Sequence, residues 1–134
     1  MMIAAHTVFT NDRFPRAADV EISELRSSAI DEHTRPTLVR RGATIGANAT
    51  IGSDLTIGAF AMVGMGSVVT RDIPDHALAI GNPARIIGLV CRCGEPVARV
   101  QDGAISDAQG TCGACARPFA VRAGAFVDGI TELV

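Results

Sequence analysis

Aliphatic residues recur at every sixth position through the middle of the chain, at Val39, Ile45, Ile51, Ile57, Val63 and Val69. Glycine takes the next position at 46, 52, 58 and 64, and the fifth position of most hexads is small or apolar. A period of six fits neither the turn of an α-helix nor simple strand alternation, but it suits short strands joined by tight corners. The pattern predicts an all-β coil whose aliphatic column points inward and forms the core.

This repeat resembles that of the hexapeptide-repeat acyltransferases, whose left-handed parallel β-helix has triangular coils of three hexads. The resemblance implies two full coils in residues 39–74, hydrogen-bonded to each other as parallel strands about 4.8 Å apart. Glycine or asparagine at the corners tolerates the positive φ that sharp turns need. Two coils bury too little apolar surface to be stable alone. In line with the habit of that family, we expect a homotrimer.

The repeat has recognisable limits on both sides. It is predicted to end near Pro74, because proline cannot donate a hydrogen bond to a strand ladder, and an irregular turn follows over residues 76–88. Residues 15–36 are polar and lack the period of six. They predict a long loop that leaves the coil, with a helical turn in residues 18–28. Loops of this length are often functional, and the alternative is a disordered surface excursion.

Residues 57–88, with a Gly-Asn-Pro-Ala-Arg string near their end, are similar to the end of the acyltransferase helix, where such proteins bind acetyl-CoA between adjacent subunits. The resemblance implies that glycine-rich corners approach the pantetheine arm and that Arg85 meets a CoA phosphate, since guanidinium pairs well with phosphate oxygens. The alternatives are a solvated Arg85 and a simple turn at Asn82-Pro83. The predicted acetyl-CoA-binding residues are Gly66, Ser67, Ala79, Asn82, Pro83 and Arg85.

A second resemblance lies in the Phe-Thr-Asn-Asp-Arg-Phe-Pro-Arg string of residues 9–16 and in residues 36–52. These segments are similar to nucleotide-sugar N-acetyltransferases that act on 3-amino sugars, in particular the UDP-2-acetamido-3-amino-2,3-dideoxyglucuronate N-acetyltransferases. The resemblance implies acetyl transfer from acetyl-CoA to the amine of a nucleotide-sugar, for surface polysaccharide synthesis such as that of lipopolysaccharide. It also implies that Asn11 lies near the acceptor amine, with Asp12 beside it. The alternative for both is a polar corner that caps the loop.

The chemistry of an amine acceptor makes modest demands on the site. A sugar amine should titrate near the pKa of about 7.7–8.0 of an α-amino group, so a useful neutral fraction exists without a strong base. Polar groups must still align the amine and offer an N–H to the oxyanion of the tetrahedral intermediate. A hydroxyl acceptor, in contrast, needs a general base, which is usually histidine.

The chain has three histidines, and none lies in the hexads. His6 is the candidate base because it is five residues before Asn11, and its alternative is a surface or coil-capping residue. His76 lies in a turn and is expected to be structural. Without a histidine cluster, the carbonic anhydrases that use this fold are disfavoured, because they need three histidine ligands. O-acetyl transfer with His6 as base stays open, as does a non-catalytic trimeric β-helix scaffold. The scaffold is favoured because the resembled proteins usually carry several more coils before the matching string than this sequence has.

Four cysteines lie near the end of the chain as two close pairs, at Cys91, Cys93, Cys112 and Cys115. Two such pairs around a hairpin-like stretch match a zinc ribbon, in which four thiolates bind one tetrahedral Zn²⁺ and leave no open position for catalysis. Two unrelated thiol pairs are an alternative, and disulfides are disfavoured in a reducing compartment. We assign residues 1–90 to the β-helix domain and residues 91–134 to a zinc-ribbon-like tail.

Composition narrows the classes of function further. The net charge of −2 and the pI of about 5.8 give no electrostatic reason to bind nucleic acid. All 12 positive residues are arginine, which excludes a Schiff-base or P-loop lysine. The first residues lack a basic segment followed by an apolar one. The longest uncharged stretch, residues 55–70, is too short to cross a membrane. We therefore expect a cytoplasmic protein with no membrane span.

Overall fold

The computed structural model describes residues 1–127, so the last seven residues of the expected tail lie outside the described part. Those 127 residues form β-strands, turns and loops, with no α-helix among them. The expectation of an all-β protein is confirmed. The strands are β1 Met2–Ile3, β2 Val8–Phe9, β3 Leu38–Val39, β4 Thr44–Ile45, β5 Thr50–Ile51, β6 Thr56–Ile57, β7 Met62–Val63, β8 Val68–Val69, β9 Ala77–Gly81, β10 Ala84–Val90, β11 Pro96–Arg99, β12 Ala108–Thr111, β13 Pro118–Arg122 and β14 Ala125–Phe126.

The short strands stack in parallel as a three-sided coil. Thr44 pairs with Met62, Thr50 with Val68, and Leu38 with Thr56, so each lap of the chain takes eighteen residues, or three hexads. The coil also reaches back to the start of the chain, because β1 pairs with β4 and β2 pairs with β5. Strands β1, β2 and β3 therefore form a first coil, which the long loop interrupts. The left-handed sense of the coil stays a prediction.

The third coil is two residues shorter than the others. Ile73 forms a parallel bridge with Ile57, sixteen residues earlier, and Ala79 pairs with Val63 at the same separation. The hexad register placed Ile73 at the fifth position, and this is wrong, because Ile73 takes the inward place of the aliphatic column and is 5% exposed. The side chain of Asp72 accepts the N–H of Thr56 at 2.8 Å, which holds the shortened lap onto the coil below.

The aliphatic column is the core, as expected. Ile45, Ile51, Ile57, Val63 and Val69 are at most 1% exposed. The positive φ of the corners does not fall on the glycines that follow this column; it falls three residues after each inward aliphatic, at Gly42, Asn48, Asp54, Phe60 and Gly66. The glycine column has another cause, namely close stacking of the coils. A Cβ on Gly46 would lie 2.5 Å from the backbone nitrogen of Met65 in the next coil.

The long loop runs from residue 10 to residue 37, between β2 and β3, and we call it the excursion. The predicted loop is thus confirmed, but the predicted helical turn in residues 18–28 is wrong. Ala18 and Leu25 instead form an antiparallel bridge. The carboxylate of Asp19 accepts the N–H of Ser23 at 2.8 Å and so stabilises a turn between the bridged residues. Side-chain competition for backbone hydrogen bonds of this kind favours turns over helix.

The tail packs against the end of the coil. Strand β10 pairs antiparallel with β9 and with β11, which extends one side of the coil into a six-stranded sheet in the order β1-β4-β7-β9-β10-β11. Strands β12, β13 and β14 form a separate antiparallel sheet. Val121 of this second sheet is fully buried in the same hydrophobic cluster as Ile73 and Ala77 of the coil. The described part of the tail therefore shares the core of the coil.

Candidate active site and metal centre

The corners of the coil align into three edges that run along its axis. The first edge joins β1 to β2, β4 to β5 and β7 to β8, and it carries His6, Asn48 and Gly66, all with positive φ. Backbone hydrogen bonds tie successive corners together, from Asn48 N–H to the carbonyl of Ala5 at 3.1 Å and from Gly66 N–H to that of Ala47 at 2.8 Å. The first edge is thus a continuous backbone ridge with different side chains at each level.

The turn between β9 and β10 continues the first edge. The buried hydroxyl of Ser67 accepts the N–H of Gly81 at 3.1 Å, which fixes the turn formed by Asn82 and Pro83 next to the Gly66 corner. A Cβ on Gly66 would meet no atom within 4 Å, so the outer side of this corner is open to a ligand. The structure thus brings the predicted acetyl-CoA residues Gly66, Ser67, Asn82 and Pro83 to one place.

The two remaining predicted acetyl-CoA residues are placed differently. Arg85 is the second residue after this turn, on β10; it is exposed and donates from its guanidinium to the carbonyl of Ala84 at 2.9 Å. Its charge is available to an anion at the surface. The side chain of Ala79 is fully buried in the core opposite Val63, so it does not face a ligand on the edge.

His6 belongs to the first edge, two coils away from Gly66. With neighbouring coils about 4.8 Å apart, the two corners are separated by about 10 Å along the axis. His6 is exposed, so its imidazole is open to solvent and to a substrate. The sequence predicts His6 near Asn11, but its corner in the stack instead aligns it with the predicted acetyl-CoA residues. Counting residues along the chain did not give this placement, because it depends on which corners share an edge.

Asn11 and Asp12 lie beyond β2, at the start of the excursion and therefore on the second edge. Asn11 is exposed, and its backbone carbonyl accepts the N–H of Arg35 at 2.7 Å. The carboxylate of Asp12 lies 2.9 Å from the guanidinium of Arg26 and also accepts the N–H of Phe14 at 2.9 Å. This arrangement supports the alternative in which Asp12 organises the loop, and it leaves Asn11 as the acceptor-side candidate with an exposed side chain.

Arg26 is a residue that sequence reasoning missed. It lies within the excursion and pairs with Asp31 at 2.7 Å as well as with Asp12. The Arg26 guanidinium is the main cause that lowers the pKa of Asp31 to about 2, helped by the N–H of His33. Two carboxylates around one arginine close the base of the excursion directly after Asn11. A lone arginine in a polar segment gave no signal of this role.

The four cysteines converge on one point. Their sulfur atoms all lie within 4.8 Å of one another, with Cys91 Sγ and Cys115 Sγ 3.6 Å apart and Cys93 Sγ and Cys112 Sγ also 3.6 Å apart. Four thiolates at about 2.3 Å from a tetrahedral Zn²⁺ would have their sulfurs about 3.8 Å apart, so the cluster fits this metal. The alternative of two unrelated thiol pairs is wrong, and all four cysteines are free rather than disulfide-bonded.

Backbone N–H groups surround the sulfurs. The N–H groups of Cys115 and Ala114 lower the pKa of the Cys112 thiol to about 7, because they stabilise its thiolate. Burial raises the pKa of the Cys91 thiol to about 12. A metal bound at this cluster would stabilise the thiolate form of every ligand, including the buried Cys91.

The remaining histidines lie outside the first edge. His76 is 1% exposed, and its Nδ1 lies 2.9 Å from the carbonyl oxygen of Val90, which agrees with the expected structural role. His33 lies in the excursion, where its ring contacts Phe14 edge-on at 6.0 Å.

In the part of the chain that the structure describes, no helix has the length and apolar character that a membrane crossing requires.

Comparison with known proteins identifies relatives over part of the chain. No protein-family model matches. Over 57 residues, or 42% of this chain and 30% of the relative, the chain is 61% identical to dTDP-3-amino-3,6-dideoxy-alpha-D-galactopyranose 3-N-acetyltransferase of Aneurinibacillus thermoaerophilus. It superposes on a maltose O-acetyltransferase from Clostridium difficile 630 with a TM-score of 0.53 and 34% identity, covering 67% of this chain and 45% of that one. Its relatives are hexapeptide-repeat acetyltransferases.

A further solved hexapeptide-repeat acetyltransferase, from Vibrio cholerae O1 biovar eltor and in complex with acetyl-CoA, is 31% identical with a TM-score of 0.48. It covers 62% of this chain and 42% of that acetyltransferase. The relatives described in the preceding paragraph confirm the expected resemblance to this class of acetyltransferase. The chain spans less than half the length of each of these three acetyltransferases.

Proposed function

We propose that the protein transfers the acetyl group of acetyl-CoA to the amine of an amino sugar carried by a nucleotide, in surface polysaccharide synthesis. The observation that carries the proposal is the 61% identity, over 57 residues, with an N-acetyltransferase of a dTDP-linked 3-amino sugar. The exposed amide of Asn11, at the position that the sequence resemblance assigns to the acceptor, supports it. The nucleotide of the substrate is then dTDP or UDP.

Acetyl-CoA is proposed to lie along the first edge of the coil. The open corner at Gly66 lets a pantetheine arm approach the backbone, because no side chain projects there. The turn at Asn82-Pro83 would border the same arm, and the exposed guanidinium of Arg85 would pair with a CoA phosphate. Ser67 would act through its bond to Gly81, which fixes the turn rather than touching the cofactor.

The transfer itself needs positioning more than acid–base power. The neutral sugar amine attacks the thioester carbonyl carbon, the tetrahedral intermediate collapses, and the carbon–sulfur bond breaks to release the CoA thiolate. The nitrogen loses one proton as the amide forms, and the thiolate can take it up. The amide oxygen of Asn11 would accept an N–H of the amine and so orient its lone pair. Asp12, paired with Arg26 at 2.9 Å, is proposed to hold Asn11 in place.

The site is proposed to be completed in a homotrimer. Asn11 follows the second edge, whereas Gly66 lies on the first, so a site that uses both needs edges of two neighbouring subunits. Large aliphatic side chains of the excursion support such contacts. Each is at least 84% exposed, more than single scattered apolar residues need to be, and they are Val20, Ile22, Leu25 and Ile30.

O-acetyl transfer is the second candidate function. It is favoured by the position of His6 on the first edge and by the superposition on a maltose O-acetyltransferase. In that reaction His6 would remove the proton of an acceptor hydroxyl as it attacks the thioester. The third possibility, a non-catalytic trimeric scaffold, predicts a folded protein without any transferase activity.

We further propose that the four cysteines hold a structural zinc ion. Their single cluster and the sulfur separations of 3.6 Å support this, and four thiolates leave no position for a reacting group. The residues that would hold the metal are Cys91, Cys93, Cys112 and Cys115. Metal analysis of the purified protein by mass spectrometry tests this, with one zinc per chain expected.

The experiment that tests the transferase proposal is release of thiol from acetyl-CoA by the purified trimer. The acceptors are dTDP-3-amino-3,6-dideoxygalactose, its UDP-linked counterpart and maltose. The proposal expects turnover with an amino sugar that Asn11→Ala reduces and His6→Ala leaves largely intact. Turnover with maltose alone, abolished by His6→Ala, would replace it with O-transfer. No turnover with any acceptor, from a folded trimer, would favour the scaffold.

A further inference from the structure

A stack of aromatic rings joins the coil to the tail. The imidazole of His76 lies 5.2 Å from the ring of Phe60 on the coil, with planes 27° apart. On its other side it lies 3.9 Å from the ring of Phe126 on β14, with planes 9° apart. The guanidinium of Arg92 lies 4.9 Å from the centroid of the Phe60 ring. Arg92 is the residue between Cys91 and Cys93, so the stack ends in the metal centre.

The third edge of the coil carries Gly42 between β3 and β4, Phe60 between β6 and β7, and His76 before β9, and its backbone is shaped around this stack. Phe60 and His76 have φ of 57° and 60°, a region that bulky side chains adopt only where their surroundings compensate. Both residues belong to the corner column whose preceding level carries Gly42. His76 is also 1% exposed, although a histidine ring is polar. These two corners are therefore held by contacts rather than by local preference.

The residue before the first cysteine is bound to His76 in two ways. The N–H of Val90 donates to the backbone carbonyl of His76 at 2.8 Å, and the carbonyl of Val90 lies 2.9 Å from His76 Nδ1. Gly94, directly after Cys93, has positive φ and lies against Met62 of the coil. A Cβ added to Gly94 would be 3.1 Å from the terminal methyl of Met62. The segment from Val90 to Gly94 is thus fixed to the coil on both sides of the first metal ligand.

We propose that the four-cysteine metal site is a clamp that closes the end of the coil: binding of zinc fixes residues 90–94, which keep His76 and Phe60 in their corners. The inference rests on the structural zinc proposed above, and it is independent of the acetyl-transfer reaction. The same contacts link zinc binding to the stack of rings. The free energy by which bound zinc stabilises the stack therefore equals the free energy by which an intact stack strengthens zinc binding. The tail is then an integral cap of the coil and not an attached module.

Amide hydrogen exchange of the full, zinc-loaded chain tests the clamp, with and without a chelator. We expect chelation to speed exchange in residues 56–63 and in β9 and β10, and the first of these segments lies at least 28 positions before Cys91. Strands β4 and β5, which lie farther from the tail, should keep their protection. Faster exchange confined to residues 91–127, with zinc removed, would overturn the clamp and leave the zinc proposal intact.

Single variants provide a second test in the other direction. Arg92→Leu removes the charge over Phe60, and Phe126→Leu removes the outer ring of the stack while keeping an apolar side chain. Arg117→Leu, next to the second cysteine pair, and Phe14→Leu, an exposed ring in the excursion, are the matched controls. Competition with a chromophoric chelator measures the zinc dissociation constant of each protein.

The clamp predicts that each stack variant raises the zinc dissociation constant about fivefold, as expected from loss of a cation–π or ring contact of about 1 kcal/mol, with both controls unchanged. Equal zinc affinity in all five proteins would overturn it. A protein that binds no zinc at all would overturn both the clamp and the zinc proposal. The thiol-release assay decides the acetyltransferase proposal separately.

Discussion

The guanidinium of Arg26 lies 2.9 Å from the carboxylate of Asp12, fourteen residues earlier, and closes the base of the excursion. The same guanidinium lies 2.7 Å from Asp31 and donates to the carbonyl of Phe14 at 3.1 Å. Three points of the loop thus meet at the Arg26 side chain, directly after Asn11. We call this arrangement of residues 12, 14, 26 and 31 the ionic neck of the excursion.

Substitution of Arg26 should loosen the excursion without unfolding the coil. Arg26→Gln removes the charge that both Asp12 and Asp31 face, while the coil core has no contact with it. We expect thermolysin to cleave before Ile30, which is 88% exposed, several times faster than in the original protein, with the far-UV circular dichroism unchanged. Arg13→Gln is the control, because Arg13 is exposed and lies next to Phe14 without joining the neck. Equal cleavage rates in both variants would contradict the neck.

The neck should also depend on pH. The pKa of Asp31 is lowered from 3.8 to about 2, chiefly by the hydrogen bond from Arg26. A lowered pKa means that the native excursion favours the carboxylate, so its contribution is complete above pH 3.8 and is lost as the pH falls toward 2. Pepsin cleavage of the excursion should therefore increase as the pH falls from 4 to 2. Asp31→Asn should be cleaved faster than the original protein at pH 4, and the ratio of the two rates should approach one at pH 2, because the ratio cancels the pH dependence of pepsin itself.

The period and the core of the coil follow from sequence because one physical demand repeats. Each lap must return an aliphatic side chain to the axis, so Ile45, Ile51 and Ile57 mark the sides of the coil directly. The first coil is harder to find, because the excursion separates Phe9 from Val39 and hides the period. The shortened third lap also escapes a register count, since only pairing between coils shows that Ile73 lies opposite Ile57.

The site is less predictable than the fold for a related reason. A motif names residue types, but the edge on which a residue lies depends on the corner it occupies. His6 therefore joins Gly66 on the first edge, although it is nearer to Asn11 in sequence. The cysteine cluster was predictable because spacing alone carries metal-binding chemistry. Arg26 was not, because an arginine finds its carboxylates only after the excursion has folded.

Because the coils stack closely, one added methyl group at Gly46 is predicted to lower the free energy of unfolding markedly. In Gly46→Ala the new Cβ would lie 2.5 Å from the backbone nitrogen of Met65, and neither backbone can move without disturbing its ladder. We expect a loss of about 1–3 kcal/mol in the free energy of unfolding. Gly113→Ala is the control, because a Cβ there meets nothing within 4 Å. Urea denaturation of both variants checks this, and equal midpoints would contradict the stacking argument.

The open corner at Gly66 gives a direct test of where acetyl-CoA lies. Gly66 has φ of +68° and no atom within 4 Å of an added Cβ, so Gly66→Ala places a methyl group on the proposed path of the pantetheine arm. Gly103 has φ of +79° and the same empty surroundings, but it lies in the tail. Both variants therefore carry a similar backbone strain of about 1–2 kcal/mol.

The two variants should differ in their use of the cofactor. Gly66→Ala is expected to raise KM for acetyl-CoA several-fold, because the methyl group blocks close approach to the backbone, whereas Gly103→Ala should leave that KM unchanged. Steady-state kinetics at saturating acceptor measures both, and thermal melting confirms that their stabilities match. If the two variants have equal KM values at matched stability, the cofactor does not lie against the Gly66 corner, and the first edge loses its proposed role.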